Sequence, residues 1–249
     1  MRAILMYHSI DPTGSAISVD REEFRAHVEW LASGTVRVVR LEELSKVSAK
    51  EDAVALTFDD GFSNFEAEAA PLLIQHKLPV TLFVVSDVAG GTNDWGGVAA
   101  PGIPTMPLLD WAALRKLKEQ GITLGGHTRT HPRLSGLPES VLTAEIAGSA
   151  DRIEQETGQR PRSFAYPYGV YDDRAAAIAA KVYREACTTE LKVLGEDVSS
   201  HLLPRLDMYY FRKRGRLEAW GSPSFHWRLR VRAGARDLKQ ALRPPKRGS

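Results

Sequence analysis

The sequence predicts an α/β fold, a parallel sheet covered by helices and either open or closed into a barrel. Three observations carry this reading. Strand-like and helix-like patterns alternate along most of the chain. The 249 residues, 43% hydrophobic and 26% charged, suit a single domain with one large core. His8, Asp59, Asp60, His127 and Tyr168 all fall just after predicted strands, on the face where βα barrels build their active sites.

The elements follow in order. Residues 2–8 read as a first strand. Asp20, with Glu23 three residues on, forms a capping box, and Phe24, Val28 and Leu31 place one apolar stripe on the helix behind it. Val36 to Val39 predicts a short strand and Leu41 to Val47 a short helix. Residues 53–61, Ala-Val-Ala-Leu-Thr-Phe-Asp-Asp-Gly, read as a buried strand closed by two carboxylates and a turn residue. A helix from Ser63 to His76 follows, with Pro71 as a point of kinking, and then the strand Val80 to Val85. The Gly- and Pro-rich stretch between Ser86 and Leu109 is long enough to be a functional loop, and its Trp95 could stack on a sugar or pin the loop down. Asp110 caps a helix that ends at Gly121, and Ile122-Thr123-Leu124 leads into His127. Further elements are a helix from Pro138 to Thr157, a strand at Ser163 to Tyr166, a helix opened by Asp172, and strands at Glu185 to Thr189 and Leu202 to Leu206.

Composition bounds the setting. No apolar run approaches the roughly 20 residues that span a bilayer, and the opening Met1 to His8 is too short for a signal-peptide core. Cys187 is the single cysteine, so an intrachain disulfide is excluded and a reduced, cytoplasmic setting is expected. The net charge of +2 hides an asymmetry. Residues 211–249 carry 12 Lys/Arg against 2 Asp/Glu, and the rest of the chain 21 against 29. A division into a body, 1–210, and a basic tail, 211–249, follows. The tail suggests an anionic contact, such as a membrane surface on the inner face.

Asp59 and Asp60 end one strand, and His127 and His131 follow another. Two histidines and a carboxylate form a common divalent-metal set, and a second carboxylate beside the metal can act as a base. The helical zinc-peptidase pattern is a weak match, because no Glu follows His127 and Pro132 follows His131 directly. His27, His76, His201 and His226 have no partner pattern and read as surface or packing residues.

Thr57-Phe58-Asp59-Asp60-Gly61, His127-Thr128-Arg129-Thr130-His131-Pro132 and Phe164-Ala165-Tyr166-Pro167-Tyr168-Gly169, in this order, resemble the first three motifs of the polysaccharide deacetylases. The resemblance covers roughly residues 1–210. It implies a distorted βα barrel of about seven strands that removes acetyl groups from N-acetylated sugars with one divalent ion, Zn2+ first, with Co2+, Ni2+ or Mn2+ as alternatives. By motif match Asp60, His127 and His131 would bind the metal, Asp59 would be the base, and the Tyr168 backbone N–H would help hold the oxyanion. Ala165 stands where the family carries Arg, and the late Asp-x-x-Asp-Trp and Leu-x-His motifs are missing. The chain has instead Met6-Tyr7-His8-Ser9 and Leu203-Pro204-Arg205-Leu206-Asp207. This is similar to the branch that includes deacetylases of biofilm poly-N-acetylglucosamine, and implies His8 as the general acid. Arg205 is the candidate replacement for the missing motif arginine.

Three other readings share these residues. The first is the same chemistry on another amide, such as a formyl group. The second is a metal-containing glycan-binding protein without turnover, against which the retained Asp59 argues. The third is nucleic-acid binding through the tail, where Phe225 and Trp227 lie among arginines but no recognisable module is present; no nucleic-acid partner is expected.

Overall fold

The structure, a computed structural model, describes residues 1–97 and 100–241. The elements are β1 (Arg2–Tyr7), β2 (Ser9–Ile10), β3 (Ser18–Val19), α1 (Arg21–Ala32), β4 (Arg37–Val38), α2 (Leu41–Leu44) and β5 (Ala53–Phe58). There follow α3 (Ala70–Gln75), β6 (Val80–Val84), α4 (Trp111–Glu119), β7 (Thr123–Gly126), α5 (Glu139–Thr157) and β8 (Ser163–Ala165). The chain continues through α6 (Asp173–Val182), β9 (Glu185–Cys187), β10 (Leu206–Asp207) and α7 (Pro223–Ala241).

Among the described residues the main sheet runs β10-β1-β5-β6-β7-β8-β9, with β4 added to the start of β5. Every pairing in it is parallel. The sheet curls into a half-barrel covered by helices, and a Cys187–Leu203 bridge ties the segment before β10 to β9. The distorted (β/α) barrel implied by the motifs is therefore the architecture observed.

Alternation along β5 explains how the sheet curls. Val54, Leu56 and Phe58 pack with the residues of the covering helices, such as Phe24, Val28 and Leu114. Ala53 and Ala55 point the other way, into a cluster with Ile4, Phe83, Ala165 and Cys187. Small side chains on the inner face let the strands close tightly. At Gly125 of β7 even a methyl group would collide, since an added Cβ would lie 2.5 Å from the Phe83 ring. Thr57 and then Asp59 continue the inner face of β5 toward the rim.

The caps form as the sequence requires. Asp20 makes the capping box with Glu23, Asp110 and Asp172 accept from Ala113 and Ala175 N–H, and Gly158 ends α5 in the left-handed region. Two elements differ from expectation. The helix expected over Ser63 to His76 opens as a π-turn, Phe65–Ala69, and only then becomes α3. Pro71, which has no N–H for an intrahelical bond, sits in the first turn after that widening. The last strand is Leu206–Asp207 rather than Leu202 to Leu206. Leu203 bridges Cys187, Pro204 has no N–H to give, and β1 pairing begins only at Leu206.

In the basic segment Pro223–Ala241 form α7, residues 242–249 lie outside the described residues, and part of the segment joins the body. Leu217, Phe225 and Leu229 are buried in the main core, and Trp220 lies 5.7 Å from Trp30 of α1. Trp227 and Val231 face outward, 62% and 51% exposed. No helix among the described residues is long and apolar enough to cross a membrane. His27, expected to be a packing residue, is buried between the Tyr7 hydroxyl and the Phe211 carbonyl. Burial pushes its pKa down to about 4.

The two faces of α7 should therefore respond differently to truncation. Phe225→Ala is expected to cost about 3–5 kcal/mol in urea unfolding, and Trp227→Ala to stay within about 0.5 kcal/mol of wild type. Equal effects would mean that α7 is not packed as described.

Candidate active site

The site lies at the C-terminal rim of the sheet and begins with the turn that ends β5. Asp59 N–H donates to the Tyr7 carbonyl at 2.9 Å, fixing it beside β1. Asp60 then adopts φ 72° and Gly61 φ 79°. Two successive left-handed residues reverse the chain, and only the second is glycine. The turn sends the two neighbouring carboxylates to different partners.

Asp59 faces Arg205. The guanidinium donates to Asp59 Oδ1 at 2.6 Å and Oδ2 at 2.7 Å, a two-point ion pair with both side chains buried. Arg205 also donates to the Thr188 carbonyl and to Thr57 Oγ1, at 2.8 and 3.3 Å. Arg205 thus reaches the inner face from the segment before β10, while Ala165 contributes only a methyl group to the inner cluster. Burial pushes the Asp59 carboxyl up, but the positive charges of Arg205, His127 and His8 outweigh it and hold it below the ordinary value. His8 Nε2 stands 3.8 Å from Asp59 Oδ2 and is the more exposed of the two. Asp207 is in electrostatic reach of His8, and desolvation raises its carboxyl.

Asp60 faces the two histidines. Its Oδ1 lies 3.4 Å from His127 Nε2 and 3.3 Å from His131 Nε2. Neither contact has hydrogen-bond alignment, so Asp60 Oδ1 is buried without a hydrogen-bond partner. Ligand atoms of Asp60, His127 and His131 all lie within 4.8 Å of one another. An orphaned carboxylate oxygen facing two imidazole nitrogens is the donor set that a divalent cation would satisfy. His127 is prepared for this, because its Nδ1 donates to the Ala165 carbonyl at 2.7 Å. In the neutral ring that leaves the Nε2 lone pair toward Asp60. Burial opposes charge on every group here. The closeness of both imidazoles still holds Asp60 well below the carboxylate range. For His127 the two carboxylates outweigh burial and raise it, whereas burial prevails for His131 and lowers it.

His131 is held differently. Its Nδ1 has no hydrogen-bond partner. The ring is stacked by Trp95 at 4.1 Å and touched edge-on by Tyr168 at 4.6 Å. Trp95 is half-buried, with its indole against this histidine. Tyr168 is 41% exposed, and its backbone takes the left-handed conformation, φ 59°. Six of the residues singled out from sequence, His8, Asp59, Asp60, His127, His131 and Arg205, are thus brought to one place, with Trp95 and Tyr168 over His131.

This arrangement can hold a divalent cation and present an ionised carboxylate to a water molecule beside it, which defines a class of hydrolytic barrel site. The chain belongs to the polysaccharide deacetylase family, whose model matches residues 46–186, more than half of its length. It is 27% identical over 209 residues to YxkH of Bacillus subtilis, covering 82% of this chain and 70% of that protein. It is 25% identical over 203 residues to the poly-beta-1,6-N-acetyl-D-glucosamine N-deacetylase of Staphylococcus epidermidis, covering 76% and 67%. Among solved structures, the Streptococcus pyogenes deacetylase PplD superposes with TM-score 0.70 at 24% identity, over 82% of this chain and 91% of that one. IcaB from Ammonifex degensii gives 0.70 at 22% identity, over 83% and 91%. These two likenesses are likenesses of fold.

The lowered Asp59 carboxyl fixes the direction of a pH effect. Against an unfolded value near ~3.9, the stabilisation from the Arg205 pair is fully present above that pH. It is lost as the pH falls through the lower folded value. Below about pH 4, the urea midpoint of metal-free wild type should fall more steeply than that of Asp59→Asn. Parallel profiles would show that Arg205 does not hold Asp59 ionised.

Proposed function

We propose that the protein is a metal-dependent carbohydrate N-deacetylase that hydrolyses an acetyl amide on an N-acetylglucosamine-type glycan. The observation that carries this reading is the pairing of a buried, unsatisfied Asp60–His127–His131 donor set with an ionised Asp59 next to it in sequence. Family membership supports a deacetylase. The named S. epidermidis relative suggests an N-acetylated glucosamine polymer as the substrate class.

Asp60, His127 and His131 would hold the ion, and zinc suits two imidazoles and one carboxylate. When bound it would supply Lewis acidity toward the amide carbonyl and toward water. The remaining steps belong to the chain. Asp59 takes the proton of the attacking water, and Arg205 keeps that carboxylate charged and aimed while leaving its other lone pairs free. The Tyr168 backbone N–H donates to the oxygen that gains charge. His8, on the exposed side of Asp59, gives a proton to the departing nitrogen, because an amine leaves poorly as an anion. Water adds to the carbonyl carbon, the C–N bond breaks, and acetate and a free amino sugar result.

The test is release of acetate and primary amine from N-acetylated glycans of increasing length, using zinc-reconstituted protein. Asp59→Asn should keep about one equivalent of metal and lose activity by a factor of about a hundred or more. His131→Ala should lose the metal as well. An Asp59→Asn enzyme with most of its activity would remove this residue as the base.

His8→Ala is expected to separate leaving groups. Amide cleavage should fall by about a hundredfold or more, whereas an acetate ester whose leaving group needs no proton should be affected much less. Equal losses on both substrates, or loss of metal, would remove His8 as the acid.

A further inference from the structure

The loop that carries His131 leaves β7 in a conformation its sequence does not favour. Thr128 and His131 both have left-handed backbones, φ 66° and 65°, although neither is glycine. Such residues persist where surrounding contacts over-determine them. One contact is internal, His131 N–H donating to Thr128 Oγ1 at 3.0 Å. From the segment after β6, Ser86 N–H and Asp87 N–H donate to the Thr128 and Arg129 carbonyls at 3.1 and 2.9 Å, and the remaining contacts come from one side chain of α5. Arg129 N–H and Thr130 N–H both donate to Glu145 Oε2 at 2.9 Å, and Thr130 Oγ1 donates to Oε1 at 2.7 Å.

We propose that Glu145 is a positioning residue that clamps the 128–131 turn and thereby sets His131 for metal binding. Glu145 is buried, and both of its oxygens are occupied by the loop. It lies outside the candidate ligand set. The helix that bears it is anchored by Leu142, Ile146 and Ala150 against Phe164 and Tyr166, so the carboxylate transmits the position of a packed helix to a short loop. His127 does not need this help, since it is tied to strands at both its backbone and its Nδ1. His131 has no hydrogen bond at Nδ1, so its backbone and the flanking rings must fix it. Loss of the clamp should release this ligand first.

The inference rests on the metal reading of the site, and the test separates the two. Zinc affinity of metal-free protein is measured by chelator competition, alongside melting temperature, for wild type, Glu145→Ala, Glu145→Gln and Ile153→Val. Ile153 is buried on the same helix, two turns further on, and serves as a control for general destabilisation. Glu145→Ala should bind zinc about 10–100-fold more weakly, the scale for losing a partner that orients a ligand. Ile153→Val should bind as wild type does despite a lower melting temperature. Glu145→Gln, whose amide oxygen can still accept from both backbone N–H groups, should recover most of the affinity. Wild-type affinity in Glu145→Ala, a loss no greater than that of Ile153→Val, or failure of Gln to rescue would each overturn the clamp alone. Wild type that binds no divalent ion would overturn the metal reading and the clamp with it.

Discussion

Arg205 and Asp59 are withdrawn from water at the mouth of the barrel, and much of the architecture serves to keep them together. Removing either charge from water costs several kcal/mol, and leaving one without the other costs about 3–5 kcal/mol. The pair is tolerable because its geometry is two-pronged and two further guanidinium protons find Thr188 and Thr57. That geometry exists only if the sheet curls far enough for the segment before β10 to lie across the end of β5. The small inner residues of β5, β7, β8 and β9 provide that curvature, and the pairing of β10 with β1 holds it.

The same constraint organises the rest of the rim. With Asp59 committed to Arg205, the reversal at Asp60 and Gly61 turns the next carboxylate to the histidines. One turn thereby divides two chemically identical residues into different environments. Asp59 is neutralised by a fixed cation, and Asp60 is left with an oxygen that no proton donor satisfies. The two histidines are equally asymmetric. One is oriented by a hydrogen bond to β8, the other by stacked rings and by the turn that precedes it.

Much of this was legible in the sequence because it follows from local rules. The short apolar run Ala53 to Phe58, buried throughout, the caps at Asp20, Asp110 and Asp172, and the glycine after Thr157 each report their structure within a few residues. The strand-end position of His8, Asp59, Asp60, His127 and Tyr168 brought the candidate site together, and the shared motifs named its family. What escaped depends on distant partners. The π-turn before Pro71 relieves a proline that a helical periodicity passes over. Leu203 is drawn to Cys187 rather than into β10. Glu145 looks like an ordinary charged position in Leu-Thr-Ala-Glu-Ile, and only the fold shows three donors waiting for it. The tail's composition indicated charge, while the burial of Phe225 and Leu229 came from their spacing on α7.

The central claim is that Asp60, His127 and His131 form one metal centre beside the Asp59–Arg205 pair. Anomalous diffraction at the zinc edge from zinc-loaded crystals tests it most directly. The account predicts a single strong peak about 2.0–2.2 Å from Asp60 Oδ1, His127 Nε2 and His131 Nε2, with the Arg205–Asp59 pair intact. A peak bound by other residues, or none at this position in metal-loaded protein, would contradict it.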